Sequence, residues 1–121
     1  MALRKFKIAD FLRPASGEPL RSVITQSDDA AVVAWCELPG QMLSAHVHPS
    51  GQDTWTVLQG VGQYQTDAHG STETIVAGDV VVAHRGQVHG VYNAGDVQLV
   101  IVSVVSPAES GFELIQPPTR S

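Results

Sequence analysis

The sequence predicts an all-β domain folded as a sandwich or a barrel. From Leu20 onward, short runs of apolar and β-branched residues recur about every ten residues, which is typical of successive strands. Clusters of turn-forming residues separate these runs, as at Pro39-Gly40 and Gly78-Asp79. No helical period is visible between them. Strand after strand at this spacing indicates a sandwich or a barrel and not a helical bundle.

The predicted strands follow one another along the chain, each ended by turn residues. They span residues 20–26, 31–38, 43–48, 54–58, 62–66, 73–76, 80–84, 90–92 and 97–105. Before them, residues 5–12 are expected to form a short helix or an arm. Residues 13–19 are expected to form a loop because they contain two prolines and a glycine.

Length and composition favour a single folded domain. The chain has 121 residues, of which 43% are hydrophobic and 16% charged, enough apolar surface for one core. We therefore divide it into an N-terminal arm (1–19), a barrel (20–106) and a C-terminal tail (107–121). The tail carries Phe112, Leu114 and Ile115 before two prolines. We expect it to pack on an edge strand of the barrel or on a dimer partner.

The charge pattern argues against several partners. Seven Lys and Arg residues against 12 Asp and Glu residues give a formal net charge of −5, and the few cations do not form the clusters that nucleic acid or anionic membranes require. No stretch reaches the roughly 18 apolar residues of a spanning helix. The first residues lack a secretory signal pattern, and Cys36 is the only cysteine. We expect a cytoplasmic protein.

A cluster of potential metal ligands lies between two glycines, Gly40 and Gly60. Side chains two residues apart on a strand point to the same side, so His46 and His48 are expected to face one point. A Pro-Ser-Gly turn ends that strand, and Asp53 begins the next one, on the same face as Trp55 and Val57. A third ligand can therefore return to the same point.

Two motifs together resemble the paired signature of the cupin superfamily. The first motif has Gly, His-x-His, an acidic residue and Gly in order, and it is matched by Gly40, His46, His48, Asp53 and Gly60. The second has two glycines, a histidine and an asparagine, and it is matched by Gly78, Gly86, His89 and Asn93. The resemblance covers roughly residues 30–105. It implies a double-stranded β-helix, also called a jelly-roll barrel, with His89 as a further metal ligand.

The chain departs from the family pattern at two positions. Asp53 replaces the usual glutamate and is one methylene shorter, and the neighbouring Gln52 could instead bind a metal through its amide oxygen if a bulge shifts the strand. We favour Asp53, because its distance to Gly60 fits the motif. His84 stands where the family has proline. It could face the ligand from the second shell of the site, or it could simply occupy a turn.

The proposed ligand set determines the kinds of metal that suit it. Three imidazoles and one oxygen ligand favour a divalent Fe, Mn, Ni, Zn or Cu ion over Ca or Mg, which prefer oxygen ligands alone. Four protein ligands leave two positions open on an octahedral ion. A hydroxy acid, an enediol or dioxygen could bind there.

Other residues are candidates for the pocket or for the second shell around the metal. If they point inward, Trp55 and Tyr64 would line the pocket, although core packing is the simpler role for Trp55. Asn93 is expected mainly to hold the turn after the second motif.

The resemblance implies two classes of function. One is a metal-dependent enzyme, of the dioxygenase or isomerase type, acting on a small polar molecule in the barrel. The other is a non-catalytic module that binds or senses a small ligand, since the fold hosts both. The resemblance also suggests a homodimer formed through edge strands and the two ends of the chain.

Overall fold

The computed structural model describes residues 3–115 and confirms the all-β prediction. A short 3-10 helix, Ile8–Phe11, precedes ten strands. The strands are β1 (Ser22–Gln26), β2 (Ala31–Glu37), β3 (Met42–Val47), β4 (Gln52–Gln59), β5 (Val61–Gln65), β6 (Thr72–Val76), β7 (Val80–Ala83), β8 (His89–Tyr92), β9 (Leu99–Ser106) and β10 (Glu113–Leu114). The first nine coincide closely with the nine predicted strands, and β10 lies in the predicted tail.

The strands form two five-stranded sheets whose paired strands are all antiparallel. One sheet has the order β1-β2-β9-β4-β7, and the other has the order β10-β3-β8-β5-β6. Neighbours in a sheet are often distant in sequence, as in a jelly roll. The core between the sheets contains Trp55, Val57, Ile75, Leu99 and Ile101. Within residues 3–115, no helix has the length and apolar character needed to cross a membrane.

A β-bulge in β3 brings the two motifs together. His46 pairs directly with His89 of β8, and the register shifts between Leu43 and His46. A bulge adds a residue to one strand and turns the side chains beyond it. Gly90 lies opposite the bulge, where a Cβ atom would be 2.8 Å from the Leu43 carbonyl oxygen and 2.9 Å from the Ala45 nitrogen. Only glycine allows β8 to approach β3 this closely without a backbone shift.

Described residues of the N-terminal arm and of the tail contact the barrel. The side-chain amide of Gln41 donates hydrogen bonds to the carbonyl oxygens of Ala15 and Gly17, at 2.5 and 2.7 Å. In the tail, β10 pairs with the outer edge of β3. Residues 1–2 of the predicted arm and 116–121 of the predicted tail lie outside the described residues. The homodimer through these ends stays a prediction.

Asn93 holds the turn that follows β8. Its buried amide donates to the carbonyl oxygens of Glu37 and Val97, at 3.0 and 2.9 Å, and its side-chain oxygen accepts a hydrogen bond from the Gly95 amide. These bonds satisfy backbone groups that would otherwise be buried without partners. The side chain of Asn93 therefore connects the turn after β8 to the end of β2.

Glu37 is a buried acid at the end of β2. The residue is 0% exposed, and neither of its carboxylate oxygens has a hydrogen-bond partner among the described residues. Burial raises the pKa of Glu37 to about 8, and the backbone of Leu43 opposes this increase only in part. An ionised carboxylate without partners is costly inside a protein, so Glu37 is protonated at neutral pH.

Glu37 should make the folded state less stable as the pH rises. Its pKa is about 8 in the folded chain and near 4.5 in the unfolded chain. Between these values the folded state holds a proton that the unfolded state has released, so the stabilisation is complete below pH 4.5 and is lost as the pH rises towards 8. The expected loss is of order 4 kcal/mol, at about 1.4 kcal/mol for each pH unit.

Urea unfolding of wild type and Glu37→Gln between pH 5 and 8 tests this expectation, because the amide keeps the shape of the side chain and cannot ionise. We expect the free energy of unfolding to fall more steeply with pH in wild type than in the variant. Parallel profiles would contradict a raised pKa at Glu37.

Candidate metal centre

Four side chains from both sheets converge inside the barrel. His46 lies in β3 and His48 directly after it, Asp53 is near the start of β4, and His89 is the first residue of β8. One potential ligand atom from each residue lies within 4.8 Å of the others. The imidazole ring of His46 is 5.1 Å from that of His48 and 4.1 Å from that of His89, measured between ring centroids. These four residues are called the His–Asp cluster below.

All three imidazoles use Nδ1 in the same way. Each Nδ1 lies at hydrogen-bonding distance from a backbone carbonyl oxygen, which accepts but cannot donate. The contacts are His46 to Ser44 at 2.7 Å, His48 to Gly111 at 2.7 Å and His89 to Gln87 at 3.1 Å. Nδ1 therefore carries the proton, and Nε2 is left as the atom that can bind a metal. Metal-binding histidines in proteins are usually oriented by a contact of this kind.

The contacts at Asp53 fit a bound cation. Its Oδ2 atom lies 3.1 Å from Nε2 of His89 and 3.3 Å from Nε2 of His48, and its buried Oδ1 atom has no hydrogen-bond partner among the described residues. Because Nδ1 already donates to a carbonyl, both rings need a second proton to donate to Asp53 as well. A divalent cation that replaces these Nε2 protons would satisfy the same atoms and would use Oδ1. The four residues therefore fit a metal of the type predicted from the sequence.

The surroundings keep two of these groups in the form that binds metal. Burial, reinforced by the nearby His89, lowers the pKa of His46 to about 4, so its imidazole is neutral at pH 7. Burial alone would raise the pKa of Asp53, but the contacts of its carboxylate with the imidazoles of His48 and His89 outweigh it and lower the pKa to about 2. Asp53 is therefore ionised. A neutral imidazole and a carboxylate are the states that a metal ion requires.

The neighbouring candidates occupy different positions. Gln52 is exposed, while Asp53, Trp55 and Val57 share the buried face of β4. Trp55 is buried, and its ring packs against the rings of His89 and Tyr64, with both centroid distances 5.4 Å. Trp55 and Tyr64 both belong to the core cluster, and neither lines the cavity beside the His–Asp cluster. Trp55 thus supports a ring of the cluster from the core side.

His84 lies on the surface directly after β7. Its side chain is exposed, its backbone amide donates a hydrogen bond to the side-chain oxygen of Gln87 at 2.9 Å, and it does not line the cavity. The structure therefore places His84 in a turn, which is the second of the two roles that the sequence left open.

A cavity of about 690 Å³ opens beside the His–Asp cluster. Its wall is largely apolar and includes Val33, Trp35, Leu43, Val105 and Phe112. The Phe112 ring lies over His46, with 4.9 Å between ring centroids. In the sequence, Phe112 is recognisable only as an apolar residue of the tail.

Three further residues lie at this site that the sequence motifs do not indicate. Arg21 and Ser103 line the cavity, and the carbonyl oxygen of Gly111 contacts His48. Each lies far along the chain from at least one of the two motifs, so no local spacing pattern identifies it.

Comparison with known proteins agrees with the fold and the motifs. A family model described as the cupin domain matches residues 34–105. The chain belongs to the cupin family. This cupin is 40% identical over 78 residues to germin-like protein 5-1 of Oryza sativa subsp. japonica, an alignment that covers 62% of this chain and 35% of that protein. The chain thus spans about a third of the length of the curated relative that it matches.

Solved structures share the architecture of this cupin. An uncharacterized conserved protein with a double-stranded β-helix domain from Klebsiella pneumoniae subsp. pneumoniae MGH 78578 is 43% identical, with a TM-score of 0.91 and coverage of 95% of this chain and 99% of that one. An oxalate oxidase in complex with the substrate analogue glycolate is 21% identical, with a TM-score of 0.63 and coverage of 72% and 46%. The second likeness concerns the fold alone. Together they confirm the jelly-roll expectation.

Substitutions at Asp53 and Gln52 should affect metal binding differently. Asp53→Ala removes the carboxylate of the His–Asp cluster, and Asp53→Asn keeps its shape without the charge. We expect each to lower the affinity for Zn²⁺ or Mn²⁺ by roughly a hundredfold or more, since even outer-shell partners contribute about ten- to a hundredfold. Gln52→Ala should change the affinity less than about threefold, because surface substitutions rarely perturb a site.

Isothermal titration calorimetry measures both effects, and circular dichroism checks that each variant is folded. A large loss of affinity in Gln52→Ala together with a small loss in the Asp53 variants would show that the amide and not the carboxylate binds the metal.

Proposed function

We propose that this cupin is a metal-dependent oxygenase acting on a small molecule that binds through adjacent oxygen atoms. The observation that carries the proposal is the position of the His–Asp cluster at the side of a largely apolar cavity of about 690 Å³. Enzyme pockets commonly combine an apolar wall with a few converging polar groups. The relatives support the family and the fold, and the proposed activity rests on the site itself.

The metal would be held by Nε2 of His46, His48 and His89 and by the carboxylate of Asp53. This donor set favours Fe, Mn, Ni, Zn or Cu. When bound, such an ion supplies Lewis acidity and, in the redox-active cases, electron exchange with dioxygen. Four protein ligands leave room for two oxygen atoms of a substrate.

Residues around the cluster would orient the substrate and exclude water. The apolar wall at Val33, Trp35 and Val105 would hold the substrate body, and Phe112 would shield the imidazole of His46 from solvent. In a dioxygenase reaction, both atoms of dioxygen enter the products and the substrate supplies all the electrons. The reaction therefore needs no external reductant, and the protein mainly supplies position and a dry site.

The composition of the cavity favours an oxygenase over a sugar or uronate isomerase. An isomerase needs a side chain that moves a proton beside the substrate carbonyl. Among the described residues that line the cavity, the acids outside the cluster are Glu18 and Glu109, and both are exposed. A sugar would also need many hydrogen-bond partners, and an apolar wall offers few.

A non-catalytic module that binds or senses a small ligand is the second candidate. The cavity lining favours it, because no buried acid or base outside the His–Asp cluster lines the cavity within the described part of the chain. Such a module would bind the metal and a ligand without turnover.

Metal content and oxygen use distinguish these functions. Protein purified without added metal or chelator should contain Fe, Mn, Ni, Zn or Cu near one ion per chain. The His46→Ala, His48→Ala double variant should contain little, because two of four ligands are lost. With catechols, β-diketones and hydroxy acids, the metal-loaded wild type should consume dioxygen and incorporate both atoms of labelled ¹⁸O₂.

Two other outcomes would argue against an oxygenase. Ligand binding without oxygen uptake would favour the binding module. The absence of metal in both proteins, even after reconstitution, would rule out the metalloenzyme proposal.

A further inference from the structure

Arg21 is an unpaired cation in the wall of the cavity. It precedes β1, its side chain is exposed, and it is the only lysine or arginine among the described residues that line the cavity. No carboxylate in the described part of the chain lies within 4.0 Å of it, and its side chain makes no hydrogen bond there. Its five N–H donors are therefore available to a ligand.

Arg21 lies on the wall of the same cavity as the His–Asp cluster. His46, His48 and Asp53 line this cavity together with Arg21. One ligand in the cavity can therefore pair an anionic group with the guanidinium while another part of it faces the cluster.

The size and lining of the cavity indicate what the rest of the ligand is like. The volume of about 690 Å³ is in the range that holds ligands larger than a two-carbon acid, and Trp35, Val105 and Phe112 line it with apolar surface. Glu18 and Glu109 also line it and are exposed, so they disfavour a second negative charge on the ligand. The cavity therefore suits a single anionic group on an apolar body.

We propose that Arg21 is a specificity-determining residue that binds the carboxylate of an aromatic or branched aliphatic monocarboxylic acid, whose oxygen donors at the opposite end face the His–Asp cluster. This inference rests on the proposed function, because it requires the metal centre to accept oxygen donors. A planar guanidinium pairs with a carboxylate through two parallel hydrogen bonds, and lysine cannot reproduce this geometry.

Two matched probes separate the carboxylate contact from metal binding. Protocatechuate and catechol carry the same pair of adjacent hydroxyl groups, but only protocatechuate has a carboxylate. Their affinities for the metal-loaded protein are measured by isothermal titration calorimetry in wild type, Arg21→Gln and Arg85→Gln. Arg85 is exposed, follows β7 and does not line the cavity, so it is a control for the loss of one positive charge.

In Arg21→Gln, we expect the protocatechuate affinity to fall roughly tenfold or more, since charge-assisted pairs are the strong ones. The catechol affinity should change less than about twofold. Arg85→Gln should leave both affinities near wild type.

An equal change for both probes in Arg21→Gln, or a change of the same size in Arg85→Gln, would overturn the role of Arg21. If catechol binds wild type and the Arg21→Gln substitution changes the affinities for both probes by the same factor, this inference fails while the proposed function stands. If neither probe binds the metal-loaded wild type, the proposed function fails, and this inference fails with it.

Discussion

The contacts between the three histidine Nδ1 atoms and backbone carbonyl oxygens are the interactions on which the site depends. Each determines which ring nitrogen carries the proton and which way the ring faces. For His46 and His89 the acceptor lies two residues earlier in the chain, so the strand itself orients the ring. For His48 the acceptor is Gly111, 63 residues away, so the tail must dock before this ring is held. The site thus depends on local strand geometry and on closure of the chain.

Both sheets contribute residues to the His–Asp cluster. The pairing of His46 with His89 joins the two motifs within one sheet, and the bulge beside Gly90 lets the strands approach. Asp53 comes from the other sheet, where it pairs with Val105 and Ala83. Its negative charge offsets the mutual repulsion of imidazoles that gain protons or bind a cation. Beneath the cluster, Trp55 connects it to the hydrophobic core, which keeps that side dry.

The barrel treats its buried and exposed charges in different ways. Asp53 is buried with two imidazole contacts and stays ionised, whereas Glu37 is buried without partners and takes up a proton. The same low polarity produces both results, and the nearby donors decide between them. At the cavity, the exposed charges of Glu18, Arg21 and Glu109 stay in contact with water while the wall between them is apolar. A ligand that fits this cavity therefore needs an apolar body and a charged group placed near the exposed charges.

The sequence by itself determined the strands and the shared face of His46 and His48, because alternation of side chains along a strand is a local property. The positions of Asp53 and His89 came from their register in the two motifs, and Gln52 remained open because a bulge could have shifted the strand. Only the tertiary structure decided that the register shift in β4 falls after Val57, so that Asp53 is buried and Gln52 is exposed. It also decided the places of Gly111, Phe112 and Arg21 at the site and the burial of Glu37. These positions depend on contacts between distant parts of the chain, and such contacts cannot be predicted from residue spacing.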